Sequence, residues 1–593
     1  MTTKGVQDKK PREKKIDFPH PATHRRILNF LNDATRVQDL MYAKVYTHDE
    51  GNPIHEDDSQ EQRPKGILNY EISKDILEFR NWEYPFGFRN LKDLFELKRF
   101  DRKHIDILMF HFGPTLFGQW TALPFDIVRP NPGGGSPVAT EVVHAALLHT
   151  GKVLFIPADF QNANWPTPIW DPSDEVNPLF EYPANSPDYS LLCSGHAFLS
   201  DGKLLVVGGG GDRNVTPTAW WGFKFDPTTR TWTRTTGRMD EYKWYPTAVV
   251  VEDKRVLITC GNTRGEMEIY NEDTDLFEPV SGDTLGFPNL YPGLHVLPNH
   301  AVFYSRTGWG QATNNPPLSN DTSAFFTFSG ATAGAWTNIA PSAANRCKGM
   351  SVMILQNTFP SVRVLVVGGS NGGSGINSAE VIDLSILSAA SGWTPTGALP
   401  DTLLRRQCSA VLLPDNTVFV AGGVDSINSP CMLYNPATNT WSTMAELPSR
   451  RGYHSVMLLL PSGKIMMTGG TSGEGNSGIE IYSPPYLFNG PRPVISHVPS
   501  LVHHGQSFIM ESPNAETIIK VVLVRPMAVT HQTDAEQRVL EMPYIHDHAN
   551  PTHLSLTAPH GGHPHSIALQ GYYMLFAINS NGVPSVAKWI YLH

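Results

Sequence analysis

The chain has 593 residues, too many for one compact core, and its formal net charge is −10, which argues against a phosphate-neutralising, nucleic-acid-binding face. Hydrophobic residues make up 40% and charged residues 17%, with 50 Gly and 48 Pro, a composition that fits short strands and tight turns better than helical bundles. No apolar run reaches the roughly 18 residues that a membrane span needs.

The opening segment stands apart. Of the 46 Lys and Arg, 20 fall within the first 106 residues. Ile27, Phe30, Leu31, Ala34 and Val37 recur at helical spacing, and Leu91, Leu94 and Phe95 begin a second such run. Between them lies the polar stretch HDEGNPIHEDDSQEQRPKG. Residues 1–110 therefore read as a mainly helical, charged extension. The first residues, MTTKGVQDKKPREKK, carry the positive charge of a signal peptide but no apolar stretch follows, so the chain as written shows no export signal.

From about residue 140 a repeat sets in: apolar strand, turn with Gly or Asn, second apolar strand, often closed by a Gly pair. It begins seven times, at His144, His196, Thr247, Leu294, Met350, Ser409 and His454. Segments such as FDPTTRTW (225–232), YNEDTDLF (270–277) and YNPATNTW (434–441) lie between them. A period near 50 with a Gly pair and a later aromatic-turn-Trp is the kelch signature, so 111–490 is predicted to be a seven-bladed kelch-type β-propeller. In this reading the glycines let inner strands crowd near the axis, and the Trp residues fill the space between blades. After the Pro-rich link YSPPYLFNGPRPVI, alternating strands predict an immunoglobulin-like antiparallel β-sandwich over 491–593.

Five cysteines (Cys193, Cys260, Cys347, Cys408 and Cys431) are too few and too scattered for a disulfide framework, and no zinc spacing appears. A ring of blades does not by itself fix a function. The informative residues sit where inner strands begin. Tyr453 and His454 adjoin at the seventh repeat, Cys193 takes the corresponding place at the second, and Tyr245 at the third. Corresponding positions on different blades converge on the ring axis, so these side chains are expected to meet. His531, in THQTDAEQR, is expected on a loop of the C-terminal domain.

GYHS, the Cys before SGH, WYP and THQxDxxQR, in that domain order, resemble the radical-copper oxidases, galactose oxidase and more nearly glyoxal oxidase, over about residues 140–593. The resemblance implies a Cys193–Tyr245 thioether, formed by self-processing, as a radical cofactor. It implies one copper ion held by Tyr245, Tyr453, His454 and His531. It makes Cys193, Tyr245 and Tyr453 the catalytic residues, with Tyr453 accepting the substrate proton and the Tyr245 radical abstracting hydrogen. Two imidazoles and two phenolates form a tetragonal N/O set that suits Cu(II). The implied reaction converts a primary alcohol or hydrated aldehyde to an aldehyde or acid, with O2 reduced to H2O2. The expected partners are a small alcohol or aldehyde and O2, with no nucleic acid, no membrane span and a monomeric chain.

The match departs from galactose oxidase in one respect: the stretch CGNTRGE offers Thr263 and no Trp to shield the radical, which favours the glyoxal oxidase branch. Trp309, in SRTGWGQ, is an alternative shield. His546, His548, His553, His560, His563 and His565 either bind a second metal, line the entrance or form solvated loops. Relatives of this kind are usually extracellular, yet the missing export signal points to the cytoplasm or a non-classical route. The alternative function is a kelch-type binding module that kept the ring without the chemistry, or a structural role with an incidental metal.

Overall fold

The computed structural model describes residues 113–593 apart from 132–133, 158–165, 177, 211–219, 253, 260–266, 283–289, 306, 309–321, 345, 356–360, 372–373, 424–428, 471–476 and 561–567. The N-terminal extension, Cys260, Thr263, Trp309, His563 and His565 lie outside the described residues. Within them the chain is mainly β, with helix confined to short turns.

Seven sheets have four strands each. All seven repeats read from the sequence are antiparallel hairpins, from Val142–Leu147 with Val153–Pro157 to Ser455–Leu459 with Ile465–Gly469. Every residue of these first and last pairs is buried, as expected for strands covered on both faces. The hairpin turns demand a left-handed residue, supplied by Gly202 (φ 84°) or Asn416 (φ 74°). The aromatic-turn-Trp segments pair as the third and fourth strands. Their tryptophans reach the preceding repeat, as Trp441 Nε1 donates to Thr396 Oγ1 (2.9 Å) and Trp232 Nε1 to Thr167 Oγ1 (3.2 Å).

The Gly pairs let neighbouring repeats approach closely. They form the seam between sheets, where the first glycine faces a carbonyl of the next repeat. A Cβ on Gly208 would lie 2.3 Å from the Lys243 oxygen, one on Gly422 2.5 Å from Arg451 O, and one on Gly469 2.4 Å from Val142 O. The last contact joins the seventh repeat to the first. At the seams sit buried ion pairs: Lys243–Glu268 (3.0 Å), Arg346–Glu380 (2.7 Å) and Arg451–Glu480 (3.0 Å). Each cation lies four residues before its inner strand begins, at Thr247, Met350 and Ser455.

Two of the seven sheets draw a strand from elsewhere in the chain. Gln119–Asp126, ahead of the first repeat, pairs with Gly478–Ser483 and forms the outer edge of the last sheet. Ala528–Thr530, from the C-terminal region, pairs with Val142–Leu147 at the inner edge of the first.

Residues 501–592 also form a five-stranded and a three-stranded sheet. Phe508 and Leu556 from one sheet share a core with Leu523, Leu575 and Ile590 from the other. The pairing is antiparallel except for Leu501–Val502, which runs parallel to Lys588–Leu592. The C-terminal strand thus closes the sheet beside the segment that enters it.

Candidate metal centre

Six of the seven repeats open their first strand on a residue with left-handed backbone: Cys193 (φ 65°), Tyr245 (63°), Tyr291 (47°), Lys348 (61°), Gln407 (62°) and His454 (67°). Each stands one to three residues before its strand. Such φ values are unfavourable for non-glycine residues and persist where the surroundings hold them. The hold is visible. Tyr245 N–H donates to the Cys193 carbonyl (3.0 Å), Tyr291 N–H to the Tyr245 carbonyl (2.7 Å) and Gln407 N–H to the Lys348 carbonyl (2.8 Å). Backbone bonds between neighbouring repeats therefore aim successive side chains at one place.

All five residues singled out in the sequence meet there. The Tyr245 and Tyr453 hydroxyls hydrogen-bond each other. Cys193 Sγ lies 3.9 Å from His531 Nε2 and within hydrogen-bonding reach of the Tyr245 hydroxyl. One ligand atom each from Cys193, His454 and His531 fall within 4.8 Å of one another, and all three residues are buried. The imidazoles of His454 and His531 are 4.5 Å apart, centroid to centroid, and Tyr453 and His531 5.4 Å.

His531 and Gln532 (φ 47° and 68°) continue the strand Ala528–Thr530 into the ring, on a segment that the inner strands grip. Gln532 Nε2 donates to the Gly452 carbonyl (2.6 Å), Gln537 Oε1 accepts from Leu412 N–H (2.9 Å) and Glu536 Oε1 from Val250 N–H (2.8 Å). The polar residues of THQTDAEQR are thus the anchors that seat His531 against three repeats.

Burial sets the electrostatics. It pushes the Cys193 thiol up to about 12, against a lowering hydrogen bond from Tyr245. Tyr453 is likewise pushed up to about 12 by burial, and Tyr245 is raised by burial and then by Cys193 and Tyr453. His531 is held well below its ordinary value, by burial first and then by the neighbouring histidines. Without a cation Cys193, Tyr245, Tyr453 and His531 are neutral groups. The donor set fits a metal ion on one further observation: both ring nitrogens of His454 are buried without a hydrogen-bond partner among the described residues, with Glu141 Oε1 3.5 Å from Nδ1. An imidazole left so costs free energy that a metal ion would recover.

Several neighbours escaped the sequence reading. Trp244 and Tyr291 both stack on Tyr245, at 3.9 Å and 13° and at 4.7 Å and 21°. Two near-parallel rings this close cannot share one face, so they cover opposite faces of the phenol. Tyr291 was legible, since NLYPG precedes the fourth inner strand as KWYP precedes the third. Behind Cys193, its N–H donates to His144 Nε2 (3.1 Å), His144 Nδ1 meets His196 Nε2 (3.1 Å), and His196 bonds the Ala528 carbonyl. The described members of the C-terminal histidine cluster do not assemble a ligand group. Among the described residues the Cys193–His454–His531 group is the one that fits an ion.

Residues 492–592 match the galactose oxidase-like early set domain, and 405–448 match the kelch motif. The aldehyde oxidase GLOX of Vitis pseudoreticulata is 28% identical over 461 residues, covering 68% of this chain and 81% of that protein. The galactose oxidase of Gibberella zeae is 24% identical over 463 residues, covering 72% of this chain and 64% of that one. The solved structure of a fungal alcohol oxidase in complex with copper shares the fold, with a TM-score of 0.64 at 19% identity over 80% of this chain and 99% of that one. The chain joins kelch-motif β-sheets to a galactose oxidase-like early set domain and is related in sequence to aldehyde and galactose oxidases.

Proposed function

We propose that this protein is a copper-radical oxidase that converts a small primary alcohol or hydrated aldehyde to an aldehyde or carboxylic acid, passing two electrons and two protons to O2 as H2O2. Tyr245, Tyr453, His454 and His531 hold one copper ion, and a Cys193–Tyr245 thioether forms the radical cofactor. The observation that carries this reading is His454, buried with both ring nitrogens lacking a hydrogen-bond partner among the described residues, beside His531 and two phenols in contact. The domain reading supports it: an extension over 1–110, a seven-bladed kelch-type propeller over 111–490 and an immunoglobulin-like sandwich over 491–593. Seven four-stranded sheets and an early set match that begins at residue 492 favour that division.

A bound copper ion supplies Lewis acidity towards the substrate oxygen and one of the two oxidising equivalents. The remaining roles fall to the chain. Tyr453, half-buried and in contact with Tyr245, is placed to accept the hydroxyl proton of the substrate at its Oη. Burial makes its phenolate unfavourable, and a neighbouring cation reverses that preference. Tyr245 takes the hydrogen from carbon, and Trp244 and Tyr291 shield its ring from water and side reactions. The Cys193 thiol lies within hydrogen-bonding reach of the Tyr245 hydroxyl, whose oxygen is two bonds from the ortho carbon that the thioether would use. Joining sulfur to that carbon releases two hydrogens, which O2 accepts.

Copper-loaded protein is expected to bind one equivalent of copper and to release H2O2 from glyoxal-like compounds and glycolaldehyde faster than from galactose. After aerobic loading the intact mass should fall by two hydrogens, and digestion should yield one peptide joining CSGH to KWYP that resists thiol reductants. A free Cys193 thiol in copper-loaded, oxygen-exposed protein would reject the radical oxidase and leave the binding module.

A further inference from the structure

We infer that Tyr291 is a positioning residue of the metal centre: its hydroxyl ends a one-way hydrogen-bond relay that fixes the His531 imidazole with the proton on Nδ1 and the Nε2 lone pair directed into the centre, where copper would bind. This rests on the copper reading above and adds a residue and a device to it.

The relay has three links. His531 Nδ1 lies 2.7 Å from Thr530 Oγ1, Thr530 Oγ1 lies 3.4 Å from Tyr291 Oη, and Tyr291 Oη lies 2.9 Å from the Ser194 carbonyl oxygen. All four groups are buried. The Ser194 carbonyl can only accept, so Tyr291 spends its one proton there. Its Oη can then only accept, and Thr530 donates to it. Thr530 Oγ1 is left to accept from His531, which places the imidazole proton on Nδ1. The other nitrogen, Nε2, carries the lone pair and faces Cys193 Sγ. Fixing a ligand's tautomer and ring orientation through its distal nitrogen is a general way to raise metal affinity.

Tyr291 also binds the centre together on a second side. Its ring lies 4.7 Å from both Tyr245 and His531. Ser194 adjoins Cys193. One residue therefore touches the segments of Cys193, Tyr245 and His531, three of the five residues proposed for the centre.

The test is copper affinity, measured by competition against a chelator of known affinity, with the Cu(II) EPR spectrum and the thermal midpoint of the copper-free protein. Tyr291→Phe keeps the ring and removes one oxygen. Thr530→Val keeps shape and removes the middle link, whereas Thr530→Ser keeps the hydroxyl and loses the methyl. Tyr291→Phe and Thr530→Val should each weaken Cu(II) binding about 10- to 100-fold, the usual cost of losing a ligand's hydrogen-bond partner. The double variant should lose little more than either single one, because both break the same relay. Thr530→Ser should bind like the wild type. A packing role predicts the reverse, with Thr530→Val harmless and Thr530→Ser impaired. Wild-type affinity in Tyr291→Phe, with folding intact, would overturn the relay alone. Absence of copper binding by the wild type would overturn the metal reading and the relay with it.

Discussion

At the scale of single residues, the centre depends on backbone that side chains disfavour. A left-handed conformation costs a non-glycine residue about 1–2 kcal/mol, and Cys193, Tyr245, Tyr291, His454 and His531 all adopt it. Glycine accepts this backbone freely, so Cys193→Gly should fold and still bind copper through Tyr245, Tyr453, His454 and His531. It cannot form the thioether, so turnover should fall by orders of magnitude and the two-hydrogen mass loss should vanish. His531→Ala has the opposite signature: it removes a proposed ligand, so copper affinity itself should fall. Equal copper loss in both variants, measured by metal analysis, would contradict this division of roles. Cys193, Tyr245, Tyr453, His454 and His531 were legible because each sits in a recognisable local motif. Trp244, Tyr291 and Thr530 lie in or beside such motifs and His144 opens the first repeat, but their parts follow only from stacking and hydrogen bonds between separate repeats and the C-terminal segment.

At the scale of the strand and sheet, the seams hold the ring. The two buried arginines Arg346 and Arg451 each bond both an acid on the third strand and the carbonyl of a seam glycine. Arg346, for example, joins Glu380 (2.7 Å) and the Gly368 carbonyl (3.0 Å). Removing one partner of such a pair leaves an uncompensated buried charge, at a cost of about 3–5 kcal/mol. Glu380→Ala should lower unfolding stability by this amount in urea titration, although Glu380 lies far from the metal centre in sequence and role. A midpoint shift under about 1 kcal/mol would mean the pair is replaced by water. The glycines permit a paired comparison. Gly469 and Gly582 have nearly equal φ (74° and 75°), but a Cβ on Gly469 would lie 2.4 Å from the Val142 oxygen, whereas one on Gly582 meets nothing within 4 Å. Gly469→Ala should therefore depress the thermal midpoint far more than Gly582→Ala, and equal losses would show that φ alone sets the cost.

At the scale of the whole molecule, buried histidines link stability to pH. Burial lowers His196 to about 4 and His295 to about 3, and holds His144 well below its ordinary value. Each is neutral when folded and protonates near 6.5 when unfolded, so the unfolded chain binds more protons below that pH. Their stabilisation is complete above about pH 6.5 and is lost as pH falls towards the folded values. His196 alone accounts for about 3 kcal/mol, at about 1.4 kcal/mol for each unit of pKa. Asp534, raised to about 7 by burial, works against this, because its stabilisation is lost as pH rises from about 4 to 7. Glu272, Asp415 and Glu446 are raised by burial as well, and His149 and His531 lowered. If the histidines dominate, copper-free protein should lose stability between pH 6.5 and 4. A flat denaturation profile across that window would show that the histidines are accessible to protons in the folded state. The sheets are also completed from outside the repeats. Deletion of residues 1–112 should leave copper binding intact, whereas deletion to residue 130 removes the strand Gln119–Asp126 and should destabilise the last sheet.

The sequence by itself determined the repeat, its seven hairpins, the aromatic strands between them and the five residues that converge. It could do so because these are local signals: alternation, turn chemistry and short motifs at fixed places in a period. Tertiary structure alone decided how the parts close and what the site residues touch. The Gly pairs are seams, which is a contact between successive repeats and has no signature within one. The strand Gln119–Asp126 joins a sheet more than 350 residues away, and Ala528–Thr530 enters the first repeat's sheet to carry His531 to Cys193 and His454. Pairing of this kind depends on edge hydrogen bonds left open by distant segments, and no periodicity in either partner records it. The same holds for the relay from His531 to Ser194, which crosses three parts of the chain in three hydrogen bonds.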